Sequence, residues 1–394
     1  MKVEKLKHIF IIGCKGLPAK YGGFETFADQ LVADKVSKEI KYHVACMAND
    51  EGEFEYHEAR CFNVPMINIG PAKVIYYDIM AMKMTMEYIE KHQIKDAIIY
   101  MLGCTAGPFM FNMWKKMKKL GITFYINPDG HEWKRSKWIY PIQKYLKYSE
   151  RVLVKHCNQV ISDSIGIEKY ILKEYAKYQP TSTFIAYGAY LHDEHYAMNK
   201  LEQLYEWYKQ FDIVNHEYYL IVGRFVPENN YKTMIQEFMK SSTRKKLVII
   251  TNVSHNKFYQ RLKKETHFEK DSRIKFVGTV YDQELLYLIR KNAFAYIHGH
   301  EVGGTNPSLL ESLATTEINL LLDVDFNKSV GLEGAKYFNK ESGNLAMLIN
   351  HVENDLDEKQ IEKMSLNAKQ RIKEVYNWPL IINQYEQLFL KGKL

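Results

Sequence analysis

Between an apolar run, Ala293 to Ile297, and leucines at helical spacing (Leu309, Leu310, Leu313) lies Gly303-Gly304-Thr305-Asn306-Pro307-Ser308. The run predicts a buried strand and the leucines a helix. Two glycines let the backbone turn tightly and approach a ligand with no Cβ in the way. Asn306 suits the N-cap and Pro307 the first helical position. Bare N–H groups at a helix start, beside glycines, suit a phosphate. Glu311 projects from the first turn of that helix, near whatever binds there.

Three other stretches have the same potential. Arg224 follows Val222-Gly223 at the end of an apolar run, a position from which a guanidinium can pair bidentately with phosphate oxygens. Gly22-Gly23-Phe24-Glu25 opens a helix after the run His8 to Ile12. The glycines there lack the G-x-G-x-x-G order of a dinucleotide fingerprint. Asn127-Pro128-Asp129-Gly130-His131-Glu132-Trp133-Lys134-Arg135 follows the run Ile122 to Ile126. Loops at the carboxyl ends of strands line the ligand crevice of an open α/β sheet. Asp129, His131 and Glu132 are therefore candidates to bind hydroxyls or to act as acid or base.

These loops need strands and helices to hold them. Strands are expected at His8–Ile12, Tyr42–Met47, Ala97–Leu102, Ile122–Ile126 and Gln159–Ser162, then afresh at Glu217–Gly223, Leu247–Thr251, Ile274–Val277, Phe294–Ile297 and Ile318–Leu322. Helical patterns lie between them, so the expected class is α/β, with two doubly wound parallel sheets. At 394 residues two domains are the natural division. Their expected ranges are 1–190 and 191–376, with an amphipathic helix in 377–394.

Composition excludes other classes. Apolar residues make up 46% and charged residues 26%, an ordinary globular balance. Five cysteines, none in C-x-x-C spacing, argue against a disulfide framework or zinc site and for a reducing cytosol. The chain enters a strand directly, which predicts no secretory leader. Its longest apolar stretch, Val74 to Ile89, is broken by Asp78 and Lys83, so no membrane-spanning segment is expected. The net charge of +7 arises in the first half, and residues 101–155 carry 11 basic against 3 acidic side chains. Within them, Phe109 to Lys119 and Trp138 to Lys147 place aromatics beside lysines, the pattern of a membrane-surface segment. No nucleic-acid recognition motif accompanies the charge.

The order of these loops resembles the GT-B glycosyltransferases, and more closely the retaining family 4. The motifs are Gly22-Gly23-Phe24-Glu25, Ile185-Ala186-Tyr187-Gly188, Val222-Gly223-Arg224-Phe225, Leu309-Leu310-Glu311-Ser312 and the final Trp-containing helix. The resemblance implies two Rossmann-like domains facing a cleft. The first would bind the acceptor and the second the nucleotide-sugar, with the last helix crossing back to the first domain. The strings IIGCKGLPAKYGGFETF, NPDGHEWKRSKW and HGHEVGGTNPSLLE resemble the bacterial β-1,4-rhamnosyltransferases of cell-wall and capsular polysaccharide assembly. That subgroup implies transfer of β-L-rhamnose from dTDP-rhamnose to the 4-hydroxyl of glucose or N-acetylglucosamine on undecaprenyl diphosphate. It places the enzyme peripherally on the cytoplasmic face of the cell membrane, without metal or cofactor.

Carried over by motif, Glu311 would hold the donor ribose and Arg224 the phosphates. Gly22, Gly23, Gly303, Gly304, Thr305 and Asn306 would approach the diphosphate. The first glutamate of the family's pair falls on Gly303, and Glu301 is the candidate to take its place. The usual second cation of the phosphate site falls on Asn229. Glu25, His131, Lys134 and Arg135 are the acceptor-side candidates. Positioning and charge stabilisation by Arg224 and the loop amides would carry most of the catalysis, with Asp129 or Glu132 as base if one exists. A nucleotide-sugar epimerase of the same fold and a sugar- or lipid-binding scaffold are the rival readings.

Overall fold

The computed structural model describes residues 6–20, 22–135, 138–254 and 256–393. Tyr21 of the first glycine loop and Ser136 and Lys137 of the second polar loop lie outside the described residues. The chain divides into two compact units, residues 1–187 with 378–394, and residues 188–377.

The first unit starts with β1 (Lys7–Ile12), α1 (Gly23–Ala33) and β2 (Ile40–Ala48). A hairpin of β3 (Glu53–Tyr56) and β4 (Ala59–Pro65) follows, then α2 (Lys73–Lys91), β5 (Ile98–Leu102), α3 (Phe111–Leu120) and β6 (Thr123–Asn127). It continues with α4 (Tyr140–His156), β7 (Gln159–Ser162), α5 (Ile165–Glu174) and β8 (Ser182–Phe184). The sheet order is β3-β4-β2-β1-β5-β6-β7-β8, parallel except for β3 against β4. β1 is buried along Ile9 to Ile12, as a central parallel strand must be with helices on both faces.

The second unit holds α6 (Leu201–Phe211), β9 (Tyr218–Val222), α7 (Tyr231–Lys240), β10 (Lys246–Ile250), α8 (Lys257–Thr266) and β11 (Ile274–Phe276). After these come α9 (Gln283–Lys291), β12 (Ala295–His298), α10 (Pro307–Thr315), β13 (Asn319–Leu322) and α11 (Asp325–Gly331). β14 (Lys336–Phe338), α12 (Asn344–Asn354) and α13 (Glu358–Arg371) complete it. Its all-parallel sheet runs β11-β10-β9-β12-β13-β14. Alternation along β9 divides the core: Tyr219 and Ile221 pack under α7 and α12, Tyr218 and Leu220 under α6 and α9.

The last helix, α14 (Trp378–Lys391), belongs to the first unit. Its Tyr385 ring lies 4.9 Å from Phe27, and its hydroxyl 3.2 Å from that of Tyr100. Glu386 accepts hydrogen bonds from the Val36 and Ser37 amides, each at 2.9 Å. The expected strands are present. The sequence reading missed the edge strands β3 and β14, which are short and supported mainly by their neighbours, and also the seven-residue β4, which lies inside the sheet between β3 and β2.

Candidate active site

In each sheet the strand order reverses once, between β1 and β5 and between β9 and β12. Ligands of open α/β sheets bind at such points, outside the carboxyl ends of the strands. In the second unit β12 pairs with β9 through Tyr219 and Leu220, so the loops after them, Gly223–Asn230 and Gly299–Asn306, are neighbours. These are the loops that carry Arg224 and the glycine pair.

The first of these loops is anchored by Phe225. Its ring is buried and packs 4.4 Å from Tyr231 and 5.1 Å from Phe258. With that ring inward, the adjacent Arg224 side chain is exposed, and among the described residues its guanidinium has no ion-pair partner. The Arg224 carbonyl accepts from Asn229 Nδ2 at 2.8 Å and from the Val226 amide at 3.0 Å. Asn230, at φ 54°, ties the two loops together. Its Nδ2 donates to the Gly299 carbonyl at 2.8 Å and to Glu301 Oε2 at 3.2 Å.

Asn306 is the N-cap of α10, its Oδ1 accepting from the Ser308 amide at 2.9 Å, and Pro307 fills the first helical position. Gly303 is buried at φ 148°, Gly304 is half-buried and Thr305 is 5% exposed. Glu301 accepts from Lys340 Nζ at 2.6 Å as well as from Asn230. Burial raises its carboxyl, but Lys340 and Asn230 together hold it below the ordinary value. Asn229 turns its Oδ1 to His300 Nδ1 at 2.8 Å.

Glu311 lies 2.5 Å from the guanidinium of Arg290, which is 4% exposed. Arg290 comes from α9, at a position framed by the buried Leu286, Ile289 and Ala293. A cation in an apolar stripe was the sequence signal for it. Ser308 Oγ donates to the Val222 carbonyl at 3.1 Å and lies 2.9 Å from the Tyr296 hydroxyl. The first turn of α10, the end of β9 and β12 are thereby locked to one another. Sequence reasoning did not single out Arg290, Tyr296, Ser308 or His300.

In the first unit, Gly22 at φ 130° starts α1, and a Cβ there would meet Glu25 Oε2 at 1.9 Å. Glu25 is 7% exposed and accepts from the Lys15 amide at 2.8 Å. Its carboxylate braces the glycine loop. Gly23 has open space where a Cβ would stand. Asp129, at φ 57°, and Glu132 both pair with the buried Arg135, at 3.2 and 2.6 Å. Trp138 Nε1 donates to Glu132 at 2.8 Å. Lys134 is exposed over the Trp133 ring. Burial, then Lys134 and Lys147, push His131 down to about 4, so its ring is neutral at physiological pH.

Two further carboxyls sit at this end of the sheet. Burial pushes Asp78 up to about 7, and burial followed by the charge of Asp129 pushes Asp163 up to about 8. Asp78 accepts from the Thr105 hydroxyl just beyond β5. Among the described residues, no group of three or more His, Cys, Asp or Glu could hold a metal ion.

Residues 6–190 match a family described as a domain of unknown function, DUF1972. No curated protein matches the chain in sequence. Among solved structures, sucrose-phosphate synthase from Thermosynechococcus elongatus is 15% identical, spans 98% of this chain and 99% of its own, and superposes with a TM-score of 0.79. A glycosyltransferase from Rickettsia africae is 13% identical over 99% of this chain and 100% of its own, with a TM-score of 0.72. Anabaena HepE, solved with UDP and glucose, is 12% identical over 98% and 100%, with a TM-score of 0.70. The fold is that of the GT-B glycosyltransferases.

Proposed function

We propose that this protein is a glycosyltransferase that takes a nucleotide-sugar on its second unit. One observation carries the reading. An exposed Arg224, whose guanidinium has no ion-pair partner among the described residues, stands at the β9–β12 reversal point beside a glycine-rich loop and the capped start of α10. Guanidinium, loop amides and helix N-terminus supply the donors a diphosphate needs. In transfer, the bond from the sugar's anomeric carbon to the diphosphate breaks, and the same donors stabilise the charge on the leaving group. Glu311, fixed by Arg290, would take the ribose hydroxyls.

The finer reading rests on the sequence resemblance: β-L-rhamnose passes from dTDP-rhamnose, with retention, to the 4-hydroxyl of glucose or N-acetylglucosamine on undecaprenyl diphosphate. A lipid acceptor calls for a membrane surface, and the first unit has features that suit one. Phe111 and Tyr140 are about 70% exposed. Along α4, Tyr140, Lys144, Tyr148, Arg151 and Lys155 share one exposed face. No helix among the described residues is long and apolar enough to cross a membrane, so attachment would be peripheral, at the cytoplasmic face.

The test is a donor panel (dTDP-rhamnose, UDP-glucose, UDP-N-acetylglucosamine), each alone and with glucosyl- or N-acetylglucosaminyl-diphosphoryl lipid. Product anomers are read by NMR. Rhamnosyl-lipid formed with retention supports the full reading, and another sugar transferred corrects the donor. Isomerised donor without acceptor would mean an epimerase. No turnover of any donor would sink the enzyme assignment.

A further inference from the structure

Along α4, Lys144, Lys147, Tyr148 and Arg151 recur every three or four residues and so share one face. With Glu174, Tyr175 and Lys177, from the end of α5 and the turn after it, they line a cleft of about 300 Å³. The lining holds four cations and one carboxylate. Lys147 is the fixed member. It is half-buried, donates to the Tyr170 hydroxyl, pairs with Glu174 at 2.9 Å and lies 4.6 Å from the Trp133 ring. Tyr170 in turn donates to the buried Glu150 at 2.6 Å. The charge of Lys147 is thus met within the protein. Lys144, Arg151 and Lys177 differ: they are exposed and rest over tyrosine rings at 5.2, 4.9 and 4.9 Å. Among the described residues none of the three has an ion-pair partner. Like charges three or four residues apart on a helix repel, so the cleft gains from a counter-anion.

We propose that this cleft binds a diphosphate group. Its three uncompensated cations match a multiply charged anion better than a carboxylate or a phosphodiester, which are monoanions. Arg151 can take two phosphate oxygens in parallel, and the lysines act as point charges. Trp133, packed against Lys147, belongs to the polar loop after β6, so the cleft adjoins the acceptor-side candidates His131 and Lys134. The diphosphate would be that of a lipid-linked acceptor, and this source rests on the acceptor reading above.

Inorganic diphosphate, titrated by calorimetry into Arg224→Ala protein to silence the donor site, tests the cleft. It should bind more tightly than inorganic phosphate. Arg151→Gln combined with Lys177→Gln, both at exposed positions, should weaken it roughly tenfold, the scale of lost charge-assisted hydrogen bonds. Glu174→Gln should tighten it severalfold, because Glu174 competes for Lys147. No binding, or binding indifferent to the paired substitution, would overturn the proposal. Flotation then reads the source, with phosphatidylcholine vesicles carrying undecaprenyl diphosphate or phosphatidylglycerol at equal total charge. Preferential capture by undecaprenyl diphosphate, lost in the paired variant, supports the lipid. Diphosphate binding in solution without that preference would overturn the lipid source and leave the cleft standing. Transfer to the lipid acceptor with an unchanged KM in the paired variant would do the reverse, removing the cleft from the reaction while the acceptor reading stands.

Discussion

Arg290 reaches from α9 to place its guanidinium 2.5 Å from the Glu311 carboxylate on α10, while the guanidinium is almost wholly buried. A buried cation with one carboxylate partner is costly to orphan. Glu311→Ala should therefore lower stability as well as donor affinity, by about 1–3 kcal/mol after allowing for the partial exposure of Glu311. Arg290→Met should raise the donor KM although Arg290 acts through Glu311. Thermal unfolding alongside steady-state kinetics checks both. An unchanged KM in Arg290→Met would mean that the pair serves only the fold.

Arg224 is the converse case. Its side chain is exposed while the neighbouring Phe225 is in the core. Arg224→Ala should leave the melting temperature within about 1 °C of wild type, as for other exposed substitutions. It should cut kcat/KM for the nucleotide-sugar by roughly 100-fold, the scale of a lost charge-stabilising donor. Phe225→Ala should instead cost about 3–5 kcal/mol. Near-normal turnover in Arg224→Ala would remove its phosphate role.

Asp78 gives the first unit a pH dependence. Burial raises it from 3.8 to about 7, so the folded state holds a proton that the unfolded chain releases. Its contribution to stability is complete below about pH 4 and is lost as pH rises through 7. Asp78→Asn cannot ionise and retains an acceptor for Thr105. It should match wild type near pH 4 and exceed it at pH 8 by on the order of 4 kcal/mol. Denaturant melts at the two pH values measure the difference.

Glu386 ties α14 to the turn after α1 by accepting from two amides. Glu386→Ala removes the acceptor from two amides at a turn where Val36 is exposed and Ser37 half-buried, so water can take its place and the cost should be about 1 kcal/mol. Truncation before Trp378 would strip the cover from Phe27 and Tyr100, and the first unit should then fail to fold. Unfolding curves and limited proteolysis report the two effects.

The exposed aromatics of the first unit predict lipid dependence. Flotation with anionic vesicles should capture the protein, and Phe111→Ser with Tyr140→Ser should reduce capture severalfold. Adding Lys144→Glu and Arg151→Glu should abolish it. Equal capture by zwitterionic vesicles would argue against the electrostatic part.

What the sequence determined by itself was local or periodic. Apolar runs of strand length, interleaved with helical spacing, gave the α/β class, because a parallel sheet covered on both faces has no other pattern. The Asn306 cap and the Pro307 start were legible because capping is settled within three residues. Short strands such as β14 were not, since three residues carry no period. Tertiary structure alone decided which groups meet. Arg290 and Glu311, Asn229 and His300, and Glu386 and the Val36 amide are far apart in sequence and close in space. Such contacts depend on which helix a sheet places beside which loop. The carboxyls of Asp129 and Glu132 likewise read as available bases until Arg135 folded back between them, because burial and pairing belong to the packed chain and not to the residue.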